Sequence, residues 1–259
     1  MSVYEKSVKL LMKDMVEEFQ LKPGEVLQRE KIFQWFQQHY PKIKEGTIQG
    51  HLVKMSTNVP SRSHHNLNPN SEADLFFRIA SGRYRLYDPA NDPTPIYTGQ
   101  SSTPEINDID SLTDEQDLEM RRTVWGASEF AYERNLQDFL SKNPQKIEPG
   151  LKLYEEEGIT GIEFPAGGGR AIDILAVDKD NNYVVIELKV SRGYDKVIGQ
   201  LLRYMAWIEK HHADSGQSVR GVIIAKEITD DLRLATSLIK NVELFEYELS
   251  FSLGKVDLS

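Results

Sequence analysis

Apolar residues recur every three or four positions through most of the first 56 residues, and this spacing predicts three amphipathic helices. Their predicted bounds are 3–19, 28–40 and 45–56. Two β-prone runs follow at 75–79 and 84–87, and Gly82 between them favours a tight turn. Three helices followed by a hairpin are typical of a winged helix-turn-helix domain, whose third helix enters the major groove of DNA. We therefore predict such a domain over residues 1–97.

Shorter apolar runs alternate with helical patterns in the rest of the chain. The spacing of apolar residues predicts helices near 125–140, 195–211 and 231–239. Apolar and β-branched runs predict strands at 161–164, around Asp173, and at 183–190, 219–225 and 242–249. This order of elements predicts an α/β sandwich with a mixed central sheet over residues 121–259.

Three charged residues interrupt the most apolar pair of predicted strands. Glu187 and Lys189 lie two positions apart, on one face of their strand, and Asp173 lies on the preceding strand of the same hairpin. Charges in an apolar interior are costly unless they are paired or bind a metal. Two carboxylates beside one cation suit a divalent metal held by oxygen ligands. The alternative is a partly exposed salt bridge on a sheet edge.

The same residues resemble the PD-(D/E)xK nuclease superfamily, with Asp173 followed by Glu187-Leu188-Lys189 and then by a Gln-x-x-x-Tyr helix. Ile172 stands where the superfamily's signature has proline. Within the superfamily, the segments most resemble the C-terminal nuclease domain of the NucS (EndoMS) group, a mismatch-directed DNA endonuclease family. The resemblance covers about residues 125 to 250, and its segments are IEPGL (147–151), RAIDILAVDKD (170–180), VVIELK (184–189) and GQLLRYM (199–205).

The resemblance implies a restriction-endonuclease-like fold and hydrolysis of DNA that depends on Mg²⁺, with Mn²⁺ as an alternative ion. Asp173, Glu187 and the backbone carbonyl of Leu188 are the expected metal ligands. Lys189 is expected to position the attacking water and to offset negative charge on the phosphorus centre. The resemblance also implies products with 5′-phosphate and 3′-hydroxyl ends, and an assembly of two copies.

Three further residues are expected near this site on the strength of the resemblance. Glu133 lies on the helix that precedes the core, where a glutamate often joins the metal site; a surface glutamate is the alternative. Gln200 and Tyr204 are one helical turn apart and would face the Lys189 end of the sheet. Ordinary packing of a helix on a sheet is the alternative for this pair.

DNA-contacting residues are predicted on the third helix, on the polar segment 56–66 that follows it, and on the hairpin. Gln and Lys on the outer face of such a helix can contact base edges or phosphates. Long polar loops in compact domains are often functional, although a solvated connection is the alternative. The predicted contacts are Gln49, His51, Lys54, Arg62, His64, His65, Asn66 and Arg83.

The net charge of −9 at first argues against nucleic acid, but the charge is unevenly distributed. Residues 1–100 carry 13 Lys and Arg against 11 Asp and Glu, whereas residues 101–259 carry 18 against 29. An acidic, proline-containing linker is predicted over 98–120, with proline punctuation starting at Pro89. The chain has no cysteine, no apolar run long enough to span a membrane and no signal-peptide pattern, so we expect a cytoplasmic protein.

Three functions remain open at this point. The first is a sequence-specific restriction-type endonuclease, which can depend on base methylation and whose winged helix reads the bases of double-stranded DNA. The second is a repair endonuclease that acts on mismatched or branched DNA. The third is a catalytically inactive DNA-binding regulator. The intact Asp-Glu-x-Lys set disfavours the third, and the added winged helix favours the first. For cleavage of both strands we expect a homodimer, because one metal site cuts one strand at a time.

Overall fold

The computed structural model describes residues 4–98, 124–189 and 194–249. Its first part contains three helices of equal length, α1, α2 and α3, and three short strands. The sheet order is β1-β3-β2, and both neighbouring pairs are antiparallel. Their bounds in chain order are Val8–Glu18 (α1), Leu27–Gln28 (β1), Arg29–His39 (α2), Glu45–Met55 (α3), Phe76–Ala80 (β2) and Arg83–Leu86 (β3).

The N-terminal domain has its own apolar core. Leu11, Met15, Phe36, Leu52 and Phe76 are each almost fully buried and come from all three helices and the hairpin. The three predicted helices and the predicted hairpin are confirmed within a few residues at their ends. The strand β1 was not predicted, because two residues are too few to show an alternating pattern.

The segment 88–98 is folded against this domain. The Ile96 amide donates to the Thr57 carbonyl, and the Tyr97 hydroxyl donates to Asp74 at 2.6 Å. Segment 88–98 is therefore part of the N-terminal domain. Residues 99–123, which hold nearly all of the predicted acidic linker, lie outside the described residues.

The C-terminal domain is built on a six-stranded mixed sheet. Its strand order is β11-β10-β9-β8-β4, and β7 pairs with the end of β8. β8 and β9 are antiparallel, whereas β9, β10 and β11 are parallel to one another. The bounds are Lys152–Leu153 (β4), Ile162–Pro165 (β7), Ala171–Val177 (β8), Tyr183–Lys189 (β9), Val219–Ala225 (β10) and Val242–Glu246 (β11). A separate two-stranded hairpin consists of Glu155–Glu156 (β5) and Ile159–Thr160 (β6).

Helices cover both faces of this sheet. Val124–Lys142 (α4) packs Leu136 and Leu140 on one face, and Tyr194–His211 (α5) packs Leu201 and Ile208 on the other. A short helix, Asp230–Thr236 (α6), follows β10. β9 is therefore buried on both sides, which explains its nearly continuous apolar sequence. The predicted α/β sandwich with a mixed sheet is confirmed, and no helix within the described ranges is long and apolar enough to cross a membrane.

Candidate active site

The hairpin of β8 and β9 changes its pairing at Asp173. The last regular pair of the ladder is Ile174 with Ile186, so the next opposed pair would be Asp173 and Glu187. Instead of continuing the backbone ladder, the Asp173 carboxylate accepts a hydrogen bond from the Leu188 amide at 2.8 Å. The side chain of Asp173 is thereby held at the level of Glu187, at the point where the two strands separate.

Glu187 is completely buried, and neither of its carboxylate oxygens has a hydrogen-bond partner among the described residues. The backbone amide of Asp173 is close but does not reach hydrogen-bonding geometry. Burial is the main reason that the pKa of Glu187 is well above its usual value, and the nearby Asp173 carboxylate raises this pKa further. Lys189 opposes both effects, and Glu133 adds a smaller repulsion.

These electrostatic contributions place the four predicted polar residues near one another. Asp173, Glu187 and Lys189 come from adjacent strands, and Glu133 is half-buried on α4. The alternative of an exposed salt bridge on a sheet edge does not fit, because β9 lies in the interior of the sheet and Glu187 is buried.

Gln137 is a residue that the sequence analysis missed. Its side-chain amide donates to the backbone carbonyl of Asp173 at 2.8 Å, and it is buried on α4 one turn after Glu133. The sequence could have indicated this role, because Gln137 is four residues after Glu133 and residues four apart share one face of a helix. Gln137 therefore connects α4 to the backbone of the strand that carries Asp173.

Gln200 and Tyr204 lie together on α5, as predicted. The Gln200 amide donates to the Tyr204 hydroxyl at 3.3 Å, and Tyr204 is nearly fully buried. The pKa of Tyr204 is raised, first by burial and then by the negative charge of Glu187, which places its hydroxyl close to the candidate site. A role for either residue in the reaction stays a prediction.

The chemistry of the donor set fits an oxygen-ligated divalent ion. A buried carboxylate without a hydrogen-bond partner is costly, and a bound cation would both satisfy it and lower its pKa. No group of three or more His, Cys, Asp and Glu side chains with metal-binding geometry occurs within the described residues. The expected set of Asp173, Glu187 and the Leu188 carbonyl is therefore two side chains and one backbone group, and it stays a prediction.

The N-terminal helix that was expected to read DNA is packed against the C-terminal domain. His51 on α3 is 1% exposed and lies beside Glu157, and Lys54 donates to the Glu157 carbonyl at 2.8 Å. Gln49 is 9% exposed and is buried beside Tyr84 of its own domain. The expectation that these side chains point outward is wrong for this arrangement of the domains. The spacing of apolar residues in α3 could not reveal this packing, because a contact between two domains leaves no periodic signal in the sequence of either one.

Two residues of the polar segment after α3 are also buried rather than presented to a ligand. Arg62 is fully buried, donates to the carbonyls of Lys54 and Ile96, and forms an ion pair with Asp74. His65 is buried, and its Nδ1 accepts a hydrogen bond from the Thr160 amide of the other domain. The prediction of surface contacts by Arg62 and His65 is therefore wrong, because both complete the interior of the fold.

The remaining predicted DNA contacts differ in accessibility. His64 is half-buried, with its Nε2 3.6 Å from a Glu163 carboxylate oxygen across the domain boundary. Asn66 and Arg83 are exposed. Contact of these three residues with DNA stays a prediction.

Two family models match the chain, one in each domain. Residues 7–86 match a domain of unknown function, DUF7669, and residues 132–250 match the endonuclease NucS C-terminal domain. The second match contains all the candidate active-site residues described above.

Curated relatives match the same part of the chain. Endonuclease NucS of Sulfolobus acidocaldarius is 31% identical over 127 residues, which are 49% of this chain and 45% of the relative. Endonuclease NucS of Pyrococcus abyssi is 33% identical over 100 residues, 38% of this chain and 35% of the relative. The chain thus spans less than half the length of these relatives.

Solved structures resemble less than half of the chain, with low TM-scores. A repair endonuclease from Pyrococcus abyssi is 26% identical, with a TM-score of 0.36 over 47% of this chain and 46% of that one. An EndoMS complex with double-stranded DNA is also 26% identical, with a TM-score of 0.36 over 49% and 46%. On the strength of the family model and the curated relatives, the C-terminal domain of this chain is NucS-like.

Proposed function

We propose that the chain is a metal-dependent DNA endonuclease that hydrolyses phosphodiester bonds with its NucS-like domain. The observation that supports this most directly is the Glu187 carboxylate, which is buried beside Asp173 and Lys189 without a hydrogen-bond partner among the described residues. A glutamate with only a structural role in that position would lower the stability of the fold, and no hydrogen bond would offset that cost. The relatives' name, endonuclease NucS, supports the same reaction class.

We assign the roles of the residues from the resemblance to the nuclease superfamily and from their grouping where β8 and β9 separate. Asp173 and Glu187, with the Leu188 carbonyl, would hold Mg²⁺ or Mn²⁺, which when bound lowers the pKa of water and offsets charge on the phosphate. Lys189 orients the attacking water and faces the negative charge that develops on phosphorus. The water oxygen forms a bond to phosphorus as the bond to the 3′ oxygen breaks, which leaves 5′-phosphate and 3′-hydroxyl ends. Gln137 keeps the backbone at Asp173 in register.

We also propose that residues 4–98 form a winged-helix domain. The support is the element order α1-β1-α2-α3-β2-β3 and the three-stranded sheet in which β3 lies in the middle. Exposed Arg83 beside the hairpin turn is the kind of residue with which a wing contacts the DNA backbone.

Between the two endonuclease functions, the structure favours recognition of DNA shape, as in repair, over reading of bases by α3. His51 on α3 is buried beside Glu157 of the C-terminal domain, and Gln49 is buried beside Tyr84 of its own domain, so neither reaches a base edge in this arrangement. The restriction-type function is the second candidate, supported by the presence of a winged-helix arrangement. A homodimer on DNA is part of both proposals, because cleavage of two strands requires two sites.

The test is cleavage of supercoiled plasmid and of duplexes with and without a mismatch, in Mg²⁺ and in EDTA. We expect cleavage in Mg²⁺, none in EDTA, and preference for the mismatched duplex. Glu187→Ala should bind DNA but not cut it, and light scattering of its DNA complex should give the mass of two copies. Robust cleavage by Glu187→Ala would contradict the assignment of the site. Cleavage at one short sequence, at equal rates in matched and mismatched duplexes, would favour the restriction-type candidate.

A further inference from the structure

The hairpin formed by β5 and β6 lies directly on the face of α3. The hydroxyl of Thr47 donates to the Glu156 carboxylate at 3.0 Å. At the turn of the hairpin, Glu157 accepts a hydrogen bond from the Val8 amide at 3.0 Å, and its carboxylate lies 3.2 Å from Nε2 of His51. Lys54 completes the contact through the Glu157 carbonyl. Two carboxylates of one domain are thus held by polar groups of the other.

The groups that hold these carboxylates are those that proteins use to hold DNA phosphates. Backbone amides at helix N-termini, hydroxyls and basic side chains make most contacts to phosphate oxygens. Val8 is the first residue of α1, and Ser7 before it makes no side-chain cap, so the Glu157 carboxylate takes the place of an anion at that helix end. Lys9 and Lys54 both line the cavity of about 500 Å³ beside Glu157.

The hairpin turn has a glutamate at a position where the backbone conformation disfavours it. Glu157 and Gly158 both have positive φ, +48° and +73°, which a two-residue hairpin turn of type I′ requires. Gly adopts this backbone without cost, and Asn or Asp is the usual partner at the first position, whereas glutamate is not. The conformation that brings the Glu157 carboxylate onto α1 and α3 is therefore maintained by contacts with the other domain.

The interface is close and contains many polar contacts. Gly46 and Gly50 lie one turn apart on α3, and a Cβ on them would meet the ring of His212 at 2.4 Å and the side chain of Ile159 at 2.8 Å. Further hydrogen bonds and ion pairs cross the boundary, including Lys44 with Asp214 at 2.8 Å and Glu45 with His211 at 2.7 Å. Polar interfaces of this kind between domains of one chain commonly allow relative motion.

We propose that the face of α3, with the N-terminus of α1, is a binding surface for the DNA backbone, and that the acidic hairpin 155–160 occupies it in place of DNA. This inference rests on the proposed function of the chain as a DNA endonuclease. In the arrangement described here the hairpin keeps the N-terminal domain from binding DNA. Binding requires release of the hairpin, so the apparent association constant for DNA is the intrinsic one multiplied by the fraction of molecules in which the two domains are undocked.

A disulfide across the interface can hold the domains together. The chain has no cysteine, and a Cβ on Gly46 would lie 3.3 Å from the Cβ of His212. That is close to the ~3.5–4.5 Å between Cβ atoms in disulfides. The full-length Gly46→Cys/His212→Cys variant would be compared oxidised and reduced, by fluorescence anisotropy with a labelled duplex of randomised sequence, at low salt and in EDTA. The single variant Gly46→Cys, treated identically, controls for the oxidant.

We expect the oxidised variant to bind the duplex at least about tenfold more weakly than the reduced one, because the disulfide allows only the docked arrangement of the domains. Equal binding by the two forms would overturn the inference while leaving the endonuclease proposal intact. Failure of both forms to bind, with no cleavage in Mg²⁺ after reduction, would overturn the proposed function and the inference with it. Cleavage in Mg²⁺ is scored separately, so the two failures can be distinguished.

A charge variant tests the same inference without a crosslink. Glu156→Gln/Glu157→Gln should raise the affinity for the duplex by about three- to tenfold, because it weakens the cis contact and leaves the basic surface unchanged. Glu155→Gln/Glu209→Gln is the matched control, because it also removes two negative charges from the C-terminal domain, at exposed glutamates that make no hydrogen bond or ion pair with α3 among the described residues. Equal gains in the two variants would mean that net charge alone is responsible, and would overturn the inference.

Discussion

Glu187 and Glu157 both hold a carboxylate in a confined place, Glu187 in the interior and Glu157 half-buried at the domain boundary, and their surroundings differ. The Glu157 carboxylate accepts a hydrogen bond from the Val8 amide and lies beside the His51 ring, so its charge is compensated. Glu187 is fully buried beside a second carboxylate, and its two oxygens have no hydrogen-bond partner among the described residues.

The difference distinguishes a carboxylate that is hydrogen-bonded within the fold from one that is available to bind a ligand. A compensated buried charge stabilises one arrangement of its neighbours, and removing a partner is what costs free energy. An uncompensated one destabilises the fold until something binds it. The same residue type thus marks an internal contact in one place and a candidate active site in the other.

The largest expected effect concerns catalysis. Glu187→Gln keeps the shape of the side chain and removes the charge, and should lower the rate of DNA cleavage by at least about 10²–10³-fold, the scale for loss of one preorganised electrostatic group. Glu209→Gln, an exposed glutamate on α5, is the control and should cut at the normal rate. The measurement is the initial rate of plasmid nicking in Mg²⁺. Comparable rates for the two variants would remove Glu187 from the site.

A smaller loss of activity is expected from Gln137→Ala. The side chain supports Asp173 through its backbone carbonyl, and loss of such a supporting contact typically costs 10–100-fold in metal affinity or activity, so we expect a loss of about this size. Titration of cleavage against Mg²⁺ should show a shifted midpoint, which a merely unfolded fraction would not produce. A lower plateau with an unchanged midpoint would show that Gln137 only stabilises the fold.

Stability should change in the direction opposite to activity for Glu187→Gln. The pKa of Glu187 is raised in the folded chain, so above the unfolded value near 4.5 the folded state must either keep a proton or bury a charge, and stability falls as pH rises. Without metal at neutral pH, Glu187→Gln should therefore raise the free energy of unfolding, by about 1–3 kcal/mol. Urea unfolding in EDTA measures it. A destabilised Glu187→Gln would show that the carboxylate is compensated after all.

The buried histidines at the domain interface should make the folded chain less stable at acidic pH. Burial lowers the pKa of both His65 and His212 to about 3, below the value of 6.5 for a free histidine. The unfolded chain therefore takes up protons that the folded chain cannot, and stability is lost as pH falls from 6.5 towards 3. By about pH 6, each histidine should cost roughly 1 kcal/mol.

Replacement of one histidine isolates its share of this loss. His212 lies among the rings of Tyr154, Phe164 and Tyr183, so His212→Phe keeps an aromatic ring in an aromatic site and removes the titrating group. Urea unfolding at neutral pH and at about pH 6 should show a loss that is smaller by roughly 1 kcal/mol in this variant than in the wild type. An unchanged loss would mean that His212 does not contribute.

The sequence by itself determined the elements and the chemical identity of the candidate site. Helical spacing located α1, α2 and α3 because each buries one face in a local core, and β-branched runs located β8 and β9 because strands buried on both sides must be apolar. In β9 the charges of Glu187 and Lys189 stood out against that apolar background. Short strands such as β1 and β5 were beyond reach, because two residues carry no measurable period.

Only the tertiary structure decided which polar residues are available to a ligand. His51 and His65 have the side chains of a DNA-contacting surface, yet both are buried against residues about a hundred positions later in the chain. Gln137 supports Asp173 through a contact between α4 and β8 that no local pattern encodes. Periodicity reports how an element packs within its own domain. The partners of a polar side chain depend on how distant parts of the chain meet, which is set by the sum of many contacts across the interface.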